Sequence, residues 1–241
     1  MKKISHARNK SLDSQKYGGT TEWISGMLLQ PFTVWNAQNL KCGFRVEDMK
    51  IMKKNLDMNV AGVLFFVSIA QFFLMMLLAE TIYPNYSVSH NYISDLGVGK
   101  TAYIFNVSIV LLGILLIAAA YISRSFSRVF SVIIVLAGIG AMGVGIFPEN
   151  TGSIHVYSSL LVFLMASIAP YIIIYKLKNS LSVAWAILGT IGLVSLILYA
   201  TGHYLGLGVG GMERFIVYPD LLWGMGFGGW LLGKGQAEGG Q

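Results

Sequence analysis

Six runs of mostly apolar residues, at 58–82, 102–122, 129–147, 154–175, 181–200 and 215–232, constrain this chain more than any other feature. Each approaches the roughly 20 residues that carry a helix across about 30 Å of hydrocarbon. No water pairs with backbone N–H and C=O groups there, so each run must satisfy its own backbone as an α-helix. Composition closes off a large soluble core as the alternative. Hydrophobic residues make up 55% of the chain and charged residues 12%, about half the charged share of ordinary globular chains. The expected fold is all-α, an integral membrane bundle of six transmembrane helices. Pro219 and Asp220 fall near the start of the last run. Proline is tolerated in a first helical turn, and an acid there suits the helix dipole.

The net charge of +6 does not point to nucleic acid, because of where the charges lie. Ten of the 17 Lys/Arg precede residue 59. Lys50, Lys53 and Lys54 lie just before the first run, Arg124 and Arg128 between the second and third, Lys176 and Lys178 between the fourth and fifth, and Lys234 after the sixth. The alternate links hold only Lys100 and Arg214. Cytoplasmic loops collect Lys and Arg, so both termini are expected in the cytoplasm of a cell-membrane protein. Cys42 is the single cysteine, which excludes an intrachain disulfide and any thiolate metal cluster. The first apolar run starts too far into the chain for the core of a cleavable signal peptide.

The expected organisation is an N-terminal cytoplasmic extension at 1–57, the six-helix domain at 58–233 and a short flexible tail at 234–241. Trp23, Met27, Leu28, Phe32 and Trp35, interrupted by Pro31, make a loose amphipathic patch. It suits either a poorly ordered tail or a helix in the headgroup layer. Met49, Met52 and Met58 are in-frame start candidates, and translation from Met52 would leave MKKN before the first run. The stripe Ala137, Ala141, Gly145 and the pair Gly224, Gly228 have the small-residue spacing that lets helices approach closely in lipid.

With that orientation, most groups capable of acid–base or ligand chemistry fall on one membrane face. Glu80, Asp95, Glu149, Glu213 and Asp220, with His90, His155 and His203, lie at extracytoplasmic ends or links. Ionisable groups at membrane depth tend to mark a functional interior. The link Tyr83 to Lys100 is long enough to fold back. It reads either as an ordinary structured loop in which Asp95 caps a short helix, or as the wall of a polar pocket.

The segment HNYISDLGVG followed by Ile104-Phe105-Asn106, the run ending GIFPEN with His155 after it, and the final GGMERFIVYPDLLW resemble the membrane-protein family catalogued as domain of unknown function 998. The resemblance covers roughly residues 60–232. It implies a six-span helical bundle and no particular activity, cofactor or substrate. Positions matching its motifs are His90, Ser94, Asp95, Asn106, Glu149, His155, Glu213 and Arg214. Residues 1–50 depart from the family pattern, in which the first span begins almost at once.

Three functions remain open. An acid–base or metal-assisted enzyme acting on a lipid or lipid-linked substrate would use Asp95, Glu149, Glu213 and Arg214 for catalysis. His90, His155 and His203 would then hold zinc or another divalent metal, although no close-spaced ligand pair such as HExxH is present. A small transporter or binding protein is the alternative; against it, no charge lies at the centre of runs two to six, and Gln71 near the middle of run one is uncharged. An accessory subunit, a partner in a membrane complex or a homo-oligomer, is the third. Haem is disfavoured, because the histidines sit at span ends and do not face each other within helices. Arg214 suits either a bidentate anion clamp or an internal ion pair.

Overall fold

A computed structural model describes residues 46–239; the amphipathic patch at 23–35 and the candidate tail preceding Val46 lie outside the described residues. The described chain is helical, with no strand among the described residues. Six long helices follow in order: α1 Val46–Ile82, α2 Ala102–Ile122, α3 Arg128–Ile146, α4 Ser153–Leu177, α5 Ser180–Ala200 and α6 Gly208–Gly239. All six are long and apolar enough to cross a membrane. Short 3₁₀ turns at Ser94–Gly97, Gly99–Thr101, Ser123–Ser125 and Glu149–Thr151 punctuate the links.

Local chemistry sets several of these boundaries. Ser127 caps α3, its hydroxyl accepting from the Phe130 N–H at 3.3 Å. Asn179 and Ser182 form a reciprocal capping box that starts α5, immediately after Lys178 ends the link in a left-handed conformation (φ 50°). Such caps satisfy N–H groups that a helix start leaves without intrahelical partners.

Each helix packs against its neighbours in sequence, and α6 closes the ring against α1. Small residues make the seams. A side chain at Gly62 would meet the Gly228 carbonyl at 2.8 Å, which sets the α1–α6 approach, and Gly113 and Gly138 face each other's carbonyls across α2–α3. Gln71 is satisfied between helices, its amide donating to the Ser68 and Ser108 carbonyls at 2.9 Å each. Outside, large apolar residues such as Leu74, Val132, Ile197 and Leu222 stay exposed, as a lipid-facing surface requires.

Two helices start earlier than the apolar runs suggest. The α1 helix begins at Val46, twelve residues before the run at 58, because its charged first turns can be helical outside hydrocarbon. The correction to α6 matters more. It begins at Gly208, so Glu213 and Arg214 lie in its second turn and Pro219 and Asp220 in its interior, not near its start. The cluster Gly208–Gly211 resembles a breaker, but the glycines serve close contact. Gly208 has φ 78° and lies against the Ser89 carbonyl, and a side chain at Gly210 would strike the Asn91 carbonyl and meet that of Val88 at 2.6 Å.

Candidate functional site

Because successive helices run antiparallel, the links 83–101, 147–152 and 201–207 share one end of the bundle. The first of these folds over that end. Its turn is built by Asn91, whose Oδ1 accepts from the Ser87 N–H at 2.9 Å and whose Nδ2 donates to Asp95 Oδ2 at 2.8 Å. Asp95 Oδ2 also accepts from the Tyr92 N–H at 3.0 Å. Asn106 donates to the Gly97 carbonyl at 2.9 Å and ties the 3₁₀ turn to α2.

Consecutive residues of α6 grip this loop. Glu213, buried at 5% exposure, accepts from the Ile93 N–H at 2.5 Å. Arg214, 4% exposed, pairs with Glu80 at the end of α1 at 2.6 Å. The same guanidinium donates to the Tyr86 hydroxyl at 2.5 Å and to the carbonyls of Val88, Gly210 and Asn91 at 2.9, 2.9 and 3.3 Å. Arg214 thus braces loop, α1 and α6 together, and most of its donors are committed within the chain.

Asp95 and Glu149 meet. The two carboxyls are close enough to act on each other, and the Ser94 hydroxyl donates to Glu149 Oε2 at 3.3 Å. Burial first, then the neighbouring Asp95, push the Glu149 carboxyl up from 4.5 to about 7. Two carboxyls this close hold one proton between them more readily than two negative charges. Below about 4.5 Glu149 is protonated in the folded and unfolded chain alike. Above that the folded chain holds the proton more tightly, so its stability falls as pH rises through about 7. We expect thermal midpoints to fall across this window, and the fall to be shallower in Glu149→Gln; equal slopes would separate the shift from this residue.

The histidines are dispersed. His90 Nδ1 lies 3.0 Å from Ser87 Oγ and 2.9 Å from Ser89 Oγ, and His203 Nδ1 lies 3.1 Å from Thr201 Oγ1; both rings are exposed. His155 is buried, with Nδ1 2.8 Å from the Phe147 carbonyl and Nε2 3.3 Å from Ser159 Oγ. A carbonyl only accepts, so Nδ1 carries a proton and donates it to Phe147. Among the described residues, no group of three or more His, Cys, Asp or Glu is placed to hold a metal ion. The expected His90–His155–His203 set is therefore not brought together, since each ring is held by the turn of its own link.

Beneath the loop lies a cavity of about 90 Å³, walled mainly by apolar side chains of α1, α2, α3, α4 and α6. Its polar lining is Ser94 and Glu213 from the loop end, Ser159, and Asp220. Asp220, expected at a helix end, lies twelve residues into α6, about 18 Å along its axis. It is buried and accepts from Ser167 Oγ on α4 at 2.9 and 3.1 Å. The sequence reading missed this charge at the centre of a span because it set the start of α6 too late.

Fold and site together define a multi-pass, all-helical membrane protein with carboxyl groups gathered over an apolar chamber. The chain belongs to the family described as "Protein of unknown function (DUF998)", whose model matches residues 60–229. No curated protein and no solved structure matches it.

Proposed function

We propose that this protein is an acid–base enzyme acting on a lipid or lipid-linked substrate. The observation that carries the reading is the Asp95–Glu149 pair, whose Glu149 accepts from Ser94, a residue that lines the apolar cavity. The substrate's polar head meets the pair while its apolar part enters the chamber. One carboxyl of the pair donates a proton and the other accepts one, the division of labour that unequal environments give two neighbouring acids. Glu213, held by the Ile93 N–H, fixes the loop that carries Asp95. The Lys/Arg distribution supports an orientation with both termini in the cytoplasm and this end outside the cell membrane. Labelling of a cysteine placed at Asn150 by an impermeant maleimide on intact cells tests that orientation.

The activity test uses purified full chain in nanodiscs containing the host's lipid extract, with products followed by mass spectrometry. Turnover is expected, falling about 10²–10⁴-fold in Glu149→Gln and in Asp95→Asn, the usual contribution of a positioned acid or base. No product from the native chain, or equal product from both variants, would sink the proposal. Asp220 favours one second reading, a proton-linked carrier, since such carriers place ionisable groups at depth. Substrate uptake into proteoliposomes without chemical change would select it.

A further inference from the structure

Asp220 lies deep in a span, and polar groups lead toward it from the loop end. On α6, Glu213 and Asp220 are two turns apart, about 10 Å along the axis. On α4, Ser159 and Ser167 have nearly the same spacing, and both helices start at the loop end, so the two pairs match in depth. Glu213, Ser159 and Asp220 line the chamber, and Ser167 donates to Asp220. Ser94 also lines it from the loop and reaches Glu149 at 3.3 Å, while His155 Nε2 lies 3.3 Å from Ser159 Oγ. Polar atoms thus mark both ends of an otherwise apolar wall.

Two observations point to water as what joins these ends. The first is a donor in need of an acceptor. Trp223, 2% exposed, lines the chamber. Its indole N–H is close enough to Asp220 to act on the carboxyl, yet it closes no hydrogen bond among the described residues. Among those residues no charged side chain of α1, α4 or α5 acts on Asp220; its polar neighbours are Ser167 and Trp223. In low dielectric a carboxyl so placed takes its uncharged form, with an O–H of its own. Two donors therefore meet at the foot of the chamber, and a small neutral acceptor suits them both. The second observation is size. The chamber's 90 Å³ holds about three waters at about 30 Å³ each. Three waters between two carboxyls make four hydrogen bonds of about 2.8 Å, about 11 Å in all. That matches the separation of Glu213 and Asp220.

We infer that the chamber binds a file of water molecules that carries protons between the loop-end acids and Asp220, which makes Asp220 a proton site within the span, reached from that end. A proton that leaves Asp220 is replaced by one handed in at Glu149 through the Ser94 hydroxyl. Each water accepts one proton and releases another, and no other bond changes. Beyond Asp220 the way is shut: the buried rings of Phe65, Phe130 and Phe227 close on one another, with centroids 6.1, 5.4 and 4.9 Å apart. The inference goes beyond the proposed enzyme, since Asp95 and Glu149 serve here as the proton's entry whether or not they catalyse a reaction. Absence of turnover would remove the acid–base proposal and leave this one standing.

The test is hydrogen–deuterium exchange at Asp220 itself, followed by rapid-scan infrared spectroscopy on the purified full chain in nanodiscs. A protonated carboxyl has a C=O stretch separate from that of a carboxylate, and the band shifts when the proton becomes a deuteron. The band lost in Asp220→Asn belongs to this residue; if that variant does not fold, the band displaced in Asp220→Glu identifies it. In the native chain this band is expected to shift in D2O well before the amide band of the spans, whose exchange requires the bundle to open. Val162, one turn below Ser159, also lines the chamber. Val162→Phe fills the path and leaves both carboxyls in place, and it is expected to slow the shift about tenfold or more. If it does not fold, Ser159→Val, which puts methyl groups where a hydroxyl stood, is read instead with the same expected direction. Absence of a protonated Asp220 band, a native band that shifts no sooner than the amides, or equal rates in the native and chamber-filled chains overturns the assignment.

Discussion

Arg214→Ala is expected to be the most damaging single change outside the carboxyl pair. It strands Glu80 inside the end of the bundle, since that carboxylate is 13% exposed and loses its 2.6 Å partner. It also releases the carbonyls of Val88, Asn91 and Gly210 and the Tyr86 hydroxyl. Removing one partner of a buried ion pair costs about 3–5 kcal/mol. The measurement is thermal denaturation of detergent-solubilised protein followed by size-exclusion profile. Arg214→Lys should fall between, because an ammonium keeps the charge but offers three rotatable donors in place of a planar fork. Native-like midpoints for the alanine variant would show that the loop is held by something else.

Gly210→Val is the second large effect, and its cause is steric. The α6 backbone lies so close to the 83–93 loop at this point that any Cβ strikes the Asn91 carbonyl, and the Gly210 N–H donates to the Ser89 carbonyl at 3.1 Å. The obstacle is backbone, which cannot rotate away as a side chain can. Overpacking of this kind costs about 1–3 kcal/mol and sometimes more. The loop is expected to lift from α6, weakening the Glu213–Ile93 bond and moving Asp95 away from Glu149. Limited proteolysis within 83–93 should rise sharply, with the rest of the bundle protected; unchanged cleavage would contradict the close approach.

These contacts also mark where sequence reasoning stopped. The apolar run at 102–122 coincides with α2, and those at 129–147 and 181–200 differ by one residue from α3 and α5, because hydrocarbon length and backbone satisfaction decide such spans almost unaided. The glycines at 208–211 were opaque for the opposite reason. Their role depends on a chain segment more than a hundred residues earlier in sequence, and from local pattern they are indistinguishable from a turn. Misplacing that start carried Asp220 from the interior of a helix to its tip and hid the one acid that faces Ser167. The gathering of acids toward one end was legible, whereas the pairing of Asp95 with Glu149 needed the fold-back of two separate links. The three histidines shared a membrane face in sequence, but sharing a face does not bring residues within coordinating distance.

Closure of the ring by α6 has a consequence for how the protein is made. This helix is the least apolar of the six and the last to leave the ribosome, and the groups that make it so, Glu213, Arg214 and Asp220, find their partners on α1, on α4 and in the loop after α1. In lipid those groups are satisfied only where the earlier segments lie against α6. The chamber is therefore a joint product of the two ends of the bundle: with α6 away from α1 it has no wall on that side, and its acids have no enclosure.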